Sequence, residues 1–338
     1  MISLTMKRTA FCISRRRRRF CVTKSALAHF LHLSQFTGEF NALDISPDGS
    51  TLAATNFSYR DDHNSIYLID LNTLKAKKVL LPKDSTDLGT CTLAYDGTGQ
   101  ILVASWSTTL HTSLKRYDPN SGTITAIGTV DACAMLRTDA AGDVVAIAGS
   151  GAVGDGYYGR YRTTDGSLLH NELAKDPFTY EIGVSRDASL FAIPTYNGTV
   201  IADSELNPTG VVIGEYAGPQ PIGAVFHPTA DLVYFPWAGS AEIKAFDTNT
   251  WQEVGQFHCQ RKFENVSTAF LEGRIKLSEM GRCFLPRYVA VFAICRPAGA
   301  KSLCLKRTLN FPYGTMLRAV SIPCIVAEDR LRAIFPET

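Results

Sequence analysis

An all-β fold built from repeated four-stranded units is what this sequence predicts, and three observations carry the prediction. A short polar turn returns six times, an apolar residue follows each turn in fixed register, and the segments between turns alternate with period two. The turns read Ser46-Pro47-Asp48-Gly49, Asp96-Gly97-Thr98-Gly99, Asp139-Ala140-Ala141-Gly142, Arg186-Asp187-Ala188, Pro228-Thr229-Ala230 and Glu279-Met280-Gly281. Three positions after their last residues stand Leu52, Leu102, Val145, Phe191, Val233 and Phe284. Those last residues are 50, 43, 46, 42 and 51 positions apart, a period shared by propeller blades and helical solenoids.

Strand character decides between the two. In the first unit, Ile66-Tyr67-Leu68-Ile69-Asp70-Leu71 is rich in β-branched and aromatic residues. In the fifth, Ile243-Lys244-Ala245-Phe246-Asp247 alternates apolar and polar side chains, a strand period rather than a helical one. No sustained helical stripe runs through 42–285, and Gly, Pro, Asn and Asp punctuate at hairpin intervals. The fifth unit shows the whole plan: an inner strand over 222–227, a turn, a second strand over 232–237, a third over 243–247, the Asn249-Thr250 turn, and a rim strand over 253–257. Four antiparallel strands per unit, repeated radially, make a β-propeller. Neighbouring blades bury each other's faces, which is why one blade alone would not fold. The sequence thus predicts five clear blades plus a sixth start over 41–285, with irregular basic extensions at 1–40 and 286–338.

Ile66–Thr73 (IYLIDLNT) resembles the strand-plus-turn signature of YVTN-type propellers, which are related to quinoprotein and WD-repeat propellers. Lys115–Asn120 and Ala245–Thr250 match it, and Ser46–Gly49 is similar to the family's first-hairpin turn. The third unit shifts its Asp to 165 and the fourth, Asp203–Asn207, is looser. The resemblance covers roughly 40–285 and implies a fold rather than an activity, since propellers host many unrelated functions.

Charge divides the chain in the same places. Residues 1–34 carry eight basic residues and no acid, and 287–338 carry eight basic residues and three acids. The segment between has eighteen basic and twenty-nine acidic residues. An acidic body would repel phosphates, so nucleic-acid binding through the propeller is not expected. No run approaches the ~20 apolar residues of a spanning helix, and no membrane span is expected. The nine cysteines are odd in number and lack the close CxxC pairing of a zinc site. Isolated buried or free thiols are the expectation.

After Phe284 the repeat features vanish together, and 286–338 reads as a divergent or frame-shifted tail. Residues 1–40 read as a basic extension that is disordered or foreign to the repeat. Arg15–Arg19 with Phe20 is similar to a twin-arginine export signal, which would place the protein outside the cytoplasm. Lys24, His29 and His32 break the apolar run that such a signal needs, and no small-x-small cleavage site follows.

Ligand-binding candidates lie on the loops joining second to third strands, opposite the Asp-Gly hairpins: Tyr59, Arg60, Asp61, His63, Trp106, His111, Asp155, Tyr157, Tyr196 and Trp237. Their mix of aromatic and polar groups suits a small polar ligand or a peptide; ordinary solvent-facing loops are the alternative. His63 and His111 with Asp61 or Asp62 have no spacing that demands a metal. The turn residues Asp48, Asp70, Asp118, Asp187 and Asp247 are expected to cap their own backbone. No GxSxG, P-loop, HExxH or dinucleotide fingerprint is present, and no cofactor or metal is expected. A non-catalytic scaffold binding a protein or small ligand at the channel mouth is the favoured expectation. The alternative is an enzyme on the same fold, a lactonase-like hydrolase or a degenerate quinoprotein, which would need acids, bases and cations converging at the axis.

Overall fold

The computed structural model describes residues 41–56, 64–73, 75–149, 158–171, 182–195, 197–215, 221–259 and 262–263, together with backbone strands at 10–14, 19–23, 275–277, 284–286 and 296–297. The described residues are all strand, turn and bend, without a helix. No helix is long and apolar enough to cross a membrane.

β1 (Ala10–Ser14) and β2 (Arg19–Thr23) pair as a hairpin whose register sets Cys12 opposite Cys21. Five antiparallel sheets follow, each in chain order from inner to outer strand. Blade 1 is β3 (Leu43–Ile45), β4 (Thr51–Thr55), β5 (Ser65–Asp70) and β6 (Ala76–Leu80). Blade 2 is β7 (Asp87–Tyr95), β8 (Ile101–Ser107), β9 (His111–Tyr117) and β10 (Ile124–Asp131). Blade 3 is β11 (Met135–Thr138), β12 (Val144–Ala148), β13 (Tyr158–Arg162) and β14 (Leu168–Asn171). Blade 4 is β15 (Gly183–Val184), β16 (Leu190–Thr195), β17 (Gly198–Asp203) and β18 (Pro208–Ile213). Blade 5 is β19 (Val225–Phe226), β20 (Leu232–Pro236), β21 (Glu242–Asp247) and β22 (Glu253–His258). A sixth hairpin, β23 (Ile275–Leu277) with β24 (Phe284–Pro286), begins where the sequence places a sixth unit. The inner strands adjoin in order: β3 with β7, β7 with β11, β11 with β15, β15 with β19, and β19 with β23. β25 (Arg296–Pro297) adds a fifth strand to the rim of blade 5 at Phe257 and His258.

The core lies between blades. In β8, Ile101 and Val103 pack with Ala53, Ile66 and Val79 of blade 1, while Leu102 and Ala104 pack with Val145 and Ile147 of blade 3. Alternate side chains thus serve opposite neighbours, and the middle of each blade reads as a continuous apolar run because both faces are buried. The apolar residues that follow the turns, Leu52, Leu102, Val145, Phe191 and Val233, are all buried at 2% exposure or less.

The turns behave as the sequence predicts. Asp48 Oδ1 accepts from Ser50 N at 3.0 Å, and Asp96 Oδ1 accepts from Thr98 N and Gln100 N, both at 2.9 Å. Asp70 accepts from Asn72 N and Thr73 N, and Asp247 from Asn249 N and Thr250 N. In blade 3, Arg162 holds the position that Asp118 has in blade 2, taking the equivalent backbone bonds from Gly166 N and to Ser167 O, and Asp165 caps Ser167 N instead. The inner strand of blade 5 is shorter than the 222–227 predicted. Pro221 bridges Trp237 and only Val225 and Phe226 enter the ladder, since Pro221 lacks a donor and Gly223 adds no side chain to pack.

Candidate functional site

The hairpins and third-strand turns crowd one end of the blades. The β4–β5, β8–β9, β12–β13, β16–β17 and β20–β21 connections and the blade-to-blade connectors occupy the other, here called the loop end. Tyr59, Arg60, Asp61, His63, Asp155, Tyr157 and Tyr196 lie outside the described residues. Trp106, His111 and Trp237 lie within them, at strand ends on the loop end.

Trp106 and His111 flank the β8–β9 connection of blade 2. Trp106 is partly buried and sits in register with Gly89 on the inner strand. His111 is about half exposed, and its Nδ1 lies 3.2 Å from Oδ1 of the buried Asp131 across the β9–β10 ladder. Asp131 also acts on His170 of blade 3, where burial lowers the imidazole pKa and the Asp131 charge partly restores it. Trp237 directly follows β20 on blade 5. Lys244 Nζ lies 4.6 Å from its ring centroid and 3.2 Å from Glu253, a cation–π contact that steadies an aromatic surface. The structure thus brings Trp106 and His111 together on one blade and sets Trp237 on another. Among the described residues no three His, Cys, Asp or Glu side chains gather as a metal site.

The most elaborate described chemistry at this end surrounds Asn56 and Asn64, the two feet that flank residues 57–63 in the sequence. Asn56 N donates to Thr90 Oγ1 at 2.7 Å and to Ser65 O at 3.1 Å. Asn64 Nδ2 donates to Pro82 O at 2.7 Å and to Asp87 Oδ2 at 3.3 Å, while its Oδ1 accepts from Ser105 at 2.9 Å. Both feet are therefore tied to blade 2. At the centre, Lys115 Nζ lies 2.8 Å from Asp87 and 3.3 Å from Asp84, and Thr112 donates to Asp87 at 2.8 Å. Lys115 and Asp87 are almost wholly buried, so their mutual attraction offsets the cost of taking the pair out of water. The Ser113 hydroxyl, against the opposing effect of burial and with help from Lys115, holds the Asp84 pKa below the ordinary carboxylate value. One buried acceptor, Asn56 Oδ1, has no hydrogen-bond partner among the described residues.

Sequence reasoning missed this cluster, although a lysine in the otherwise half-buried Leu114–Tyr117 strand was a signal for it. It also missed a disulfide. The expectation of isolated thiols is corrected: Cys91 and Cys133 are bonded, with Cα atoms 5.1 Å apart, and Cys259 is disulfide-bonded as well. Cys91 is the extra residue of a bulge between Thr90 and Thr92, and Cys133 lies in the connector to blade 3. The bond draws the inner strand and the connector together on the loop end.

No protein-family model matches the chain, and no curated protein matches it in sequence. Solved structures do match in shape. Kuenenia stuttgartiensis hydrazine synthase is similar over 86% of this chain and 92% of its own, at 11% identity and a TM-score of 0.59. A functionally unknown protein from Desulfotomaculum acetoxidans DSM 771 is similar over 83% and 89%, at 12% identity and a TM-score of 0.60. At such identities the likeness shows a shared propeller-like fold and no more.

Proposed function

We propose that this chain is a YVTN-type, quinoprotein- and WD-repeat-like propeller serving as a non-catalytic scaffold, which binds a protein or small ligand through loops at the mouth of the central channel. One contrast carries the reading. On the turn end, Asp48, Asp70, Asp118, Asp203 and Asp247 each cap nearby backbone and are held below the ordinary carboxylate pKa, Asp48 chiefly by the Ser46 hydroxyl and the other four chiefly by their backbone hydrogen bonds. On the loop end, a buried polar cluster ties Asn56 and Asn64 to the next blade and leaves an acceptor, Asn56 Oδ1, without a partner among the described residues. Fixing the two ends of a connection before a ligand arrives lowers the entropic cost of binding.

The test is a thermal-shift screen of short peptides and small polar molecules, lactones included. The reading expects a stabilising ligand whose effect is lost in Trp106→Ala or Trp237→Ala and kept in Asn72→Ala on the turn end. A ligand whose effect is lost only in the turn-end variant would overturn it. Turnover of a lactone would replace it with the hydrolase reading.

A further inference from the structure

We infer that this chain is a substrate of a disulfide-bearing thiol oxidoreductase and completes its fold in an oxidising compartment, with Cys91–Cys133 as a permanent staple. Both sulfur-bearing residues are at 1% exposure or less, so the finished bond is shielded from the reductants that would make it a switch. The backbone on either side departs from regular structure to make it. Cys91 occupies a bulge, and Cys133 has a φ of 59°, a left-handed conformation that disfavours any residue with a Cβ. The Asn41 amide donates to Cys91 O at 3.1 Å and lies 3.4 Å from its Sγ, fixing the same sulfur from blade 1. Cys259 is disulfide-bonded too, so all three cysteines whose side chains are described are oxidised. Reducing cytosol keeps thiols of ordinary proteins free, whereas oxidising compartments form and retain such bonds.

The chemistry fixes the partner's class and the order of events. The thiolate of one cysteine attacks the oxidoreductase disulfide and forms a mixed disulfide. The thiolate of the other then displaces the oxidoreductase sulfur. Two thiol protons of this chain pass to solvent and on to the departing thiolates, two electrons pass to the oxidoreductase, and it leaves as a dithiol. No cysteine lies between 91 and 133 in the sequence, so Cys133 is the next cysteine to follow Cys91 as the blades emerge. Thr92 Oγ1 donates to Ala134 O and Thr138 Oγ1 to Tyr95 O, locking blade 3 against blade 2 directly over the bond. The oxidant must therefore act before these two blades finish docking.

The test is to produce the full chain with an export signal in bacteria that possess or lack their periplasmic thiol oxidase, blocking free thiols with iodoacetamide on lysis. The inference expects a non-reducing peptide map with Cys91 linked to Cys133 in the first strain, and alkylated cysteines with a lower yield of folded protein in the second. It also expects Cys91→Ala/Cys133→Ala to melt roughly 5–15 °C lower than the parent. Folded exported protein with both cysteines alkylated would overturn the inference, and the map decides even where the double variant does not fold. Equal yield and linkage in the two strains would overturn the dependence on an oxidoreductase.

Discussion

His227 offers a direct test of the turn logic. It occupies the first position of the β19–β20 turn, where the other blades place Ser46, Asp96, Asp139 and Ser185, each accepting a backbone N–H through a side-chain oxygen. Here the acceptor is Nδ1, which receives Thr229 N at 3.1 Å and Ala230 N at 2.9 Å. Imidazole accepts at Nδ1 only while that nitrogen is unprotonated. Burial, and then the Arg186 guanidinium, hold the His227 pKa below its usual 6.5. The neutral form is the one the fold prefers, so the stabilisation is fully present above the unfolded value and is lost as pH falls through the lower folded one. Two hydrogen bonds at about 1 kcal/mol each put His227→Ala at about 1–2 kcal/mol. For a domain of this size that is a Tm loss of roughly 2–8 °C near neutral pH. His227→Asp restores an oxygen acceptor and shifts the sensitivity down to the carboxylate range. Thermal unfolding of the three proteins from about pH 8 to about pH 5 checks this. Arg186, paired with Asp231 at 2.7 Å, is common to all three proteins, and Tyr234, whose pKa burial pushes upward, stays neutral across that range. Identical pH profiles for the parent and His227→Asp would refute the assignment of Nδ1 as the cap.

Other substitutions separate further contributions. Lys115→Ala strands Asp87 in the interior and should cost about 3–5 kcal/mol, whereas Lys115→Met with Asp87→Leu should cost clearly less; urea unfolding of both measures it. A Cβ on Gly142 would meet Gly97 Cα at 2.1 Å, while one on Gly49 meets nothing within 4 Å at a similar positive φ. Gly142→Ala should therefore cost at least about 2 kcal/mol and Gly49→Ala about 1 kcal/mol, compared by chemical denaturation. Burial pushes the Asp187 carboxyl upward, but hydrogen bonds from Ser185 and Ser189 overcome it and hold the pKa at about 2. That contribution is present above the ordinary value of 3.8 and fades as pH falls toward 2, so Asp187→Asn should flatten acid unfolding in this window, as followed by circular dichroism.

What was legible in the sequence is what local chemistry repeats. An Asp or Ser acceptor, a tight turn and an apolar residue three positions on recur because every blade solves the same packing problem. Even the departure at Asp165 was readable, since Arg162 cannot cap and a nearby carboxylate takes over. What stayed hidden depends on contacts between distant segments. Lys115 reads as a solvated charge until Asp87, on the inner strand of the same blade, is seen 2.8 Å away. Asn64 reads as loop until Ser105 and Pro82 close on it. Nine cysteines leave many pairings open, and spacing alone does not select Cys91 with Cys133.

The same distinction separates the two ends of the blades. A turn whose polar groups are satisfied within five residues needs nothing from its surroundings, so blade after blade can repeat it. That self-sufficiency leaves it few unmet hydrogen bonds with which to recognise a partner. Among the described residues the loop end is organised differently at blades 1, 2 and 5. Asn64 of blade 1 joins the Asp87–Lys115 cluster, blade 2 pairs His111 with Asp131, and blade 5 lays Lys244 against Trp237. Groups held by long-range contacts depend on the blades having docked, and a pre-organised site loses less conformational freedom on binding. Replacing Asn64, whose side chain bonds Pro82, Asp87 and Ser105, by Ala tests this point. If the cluster serves only the fold, the loss should register in stability with any ligand's affinity intact; if it supports recognition, affinity should fall as well, by at least the loss of one net hydrogen bond, about 1 kcal/mol.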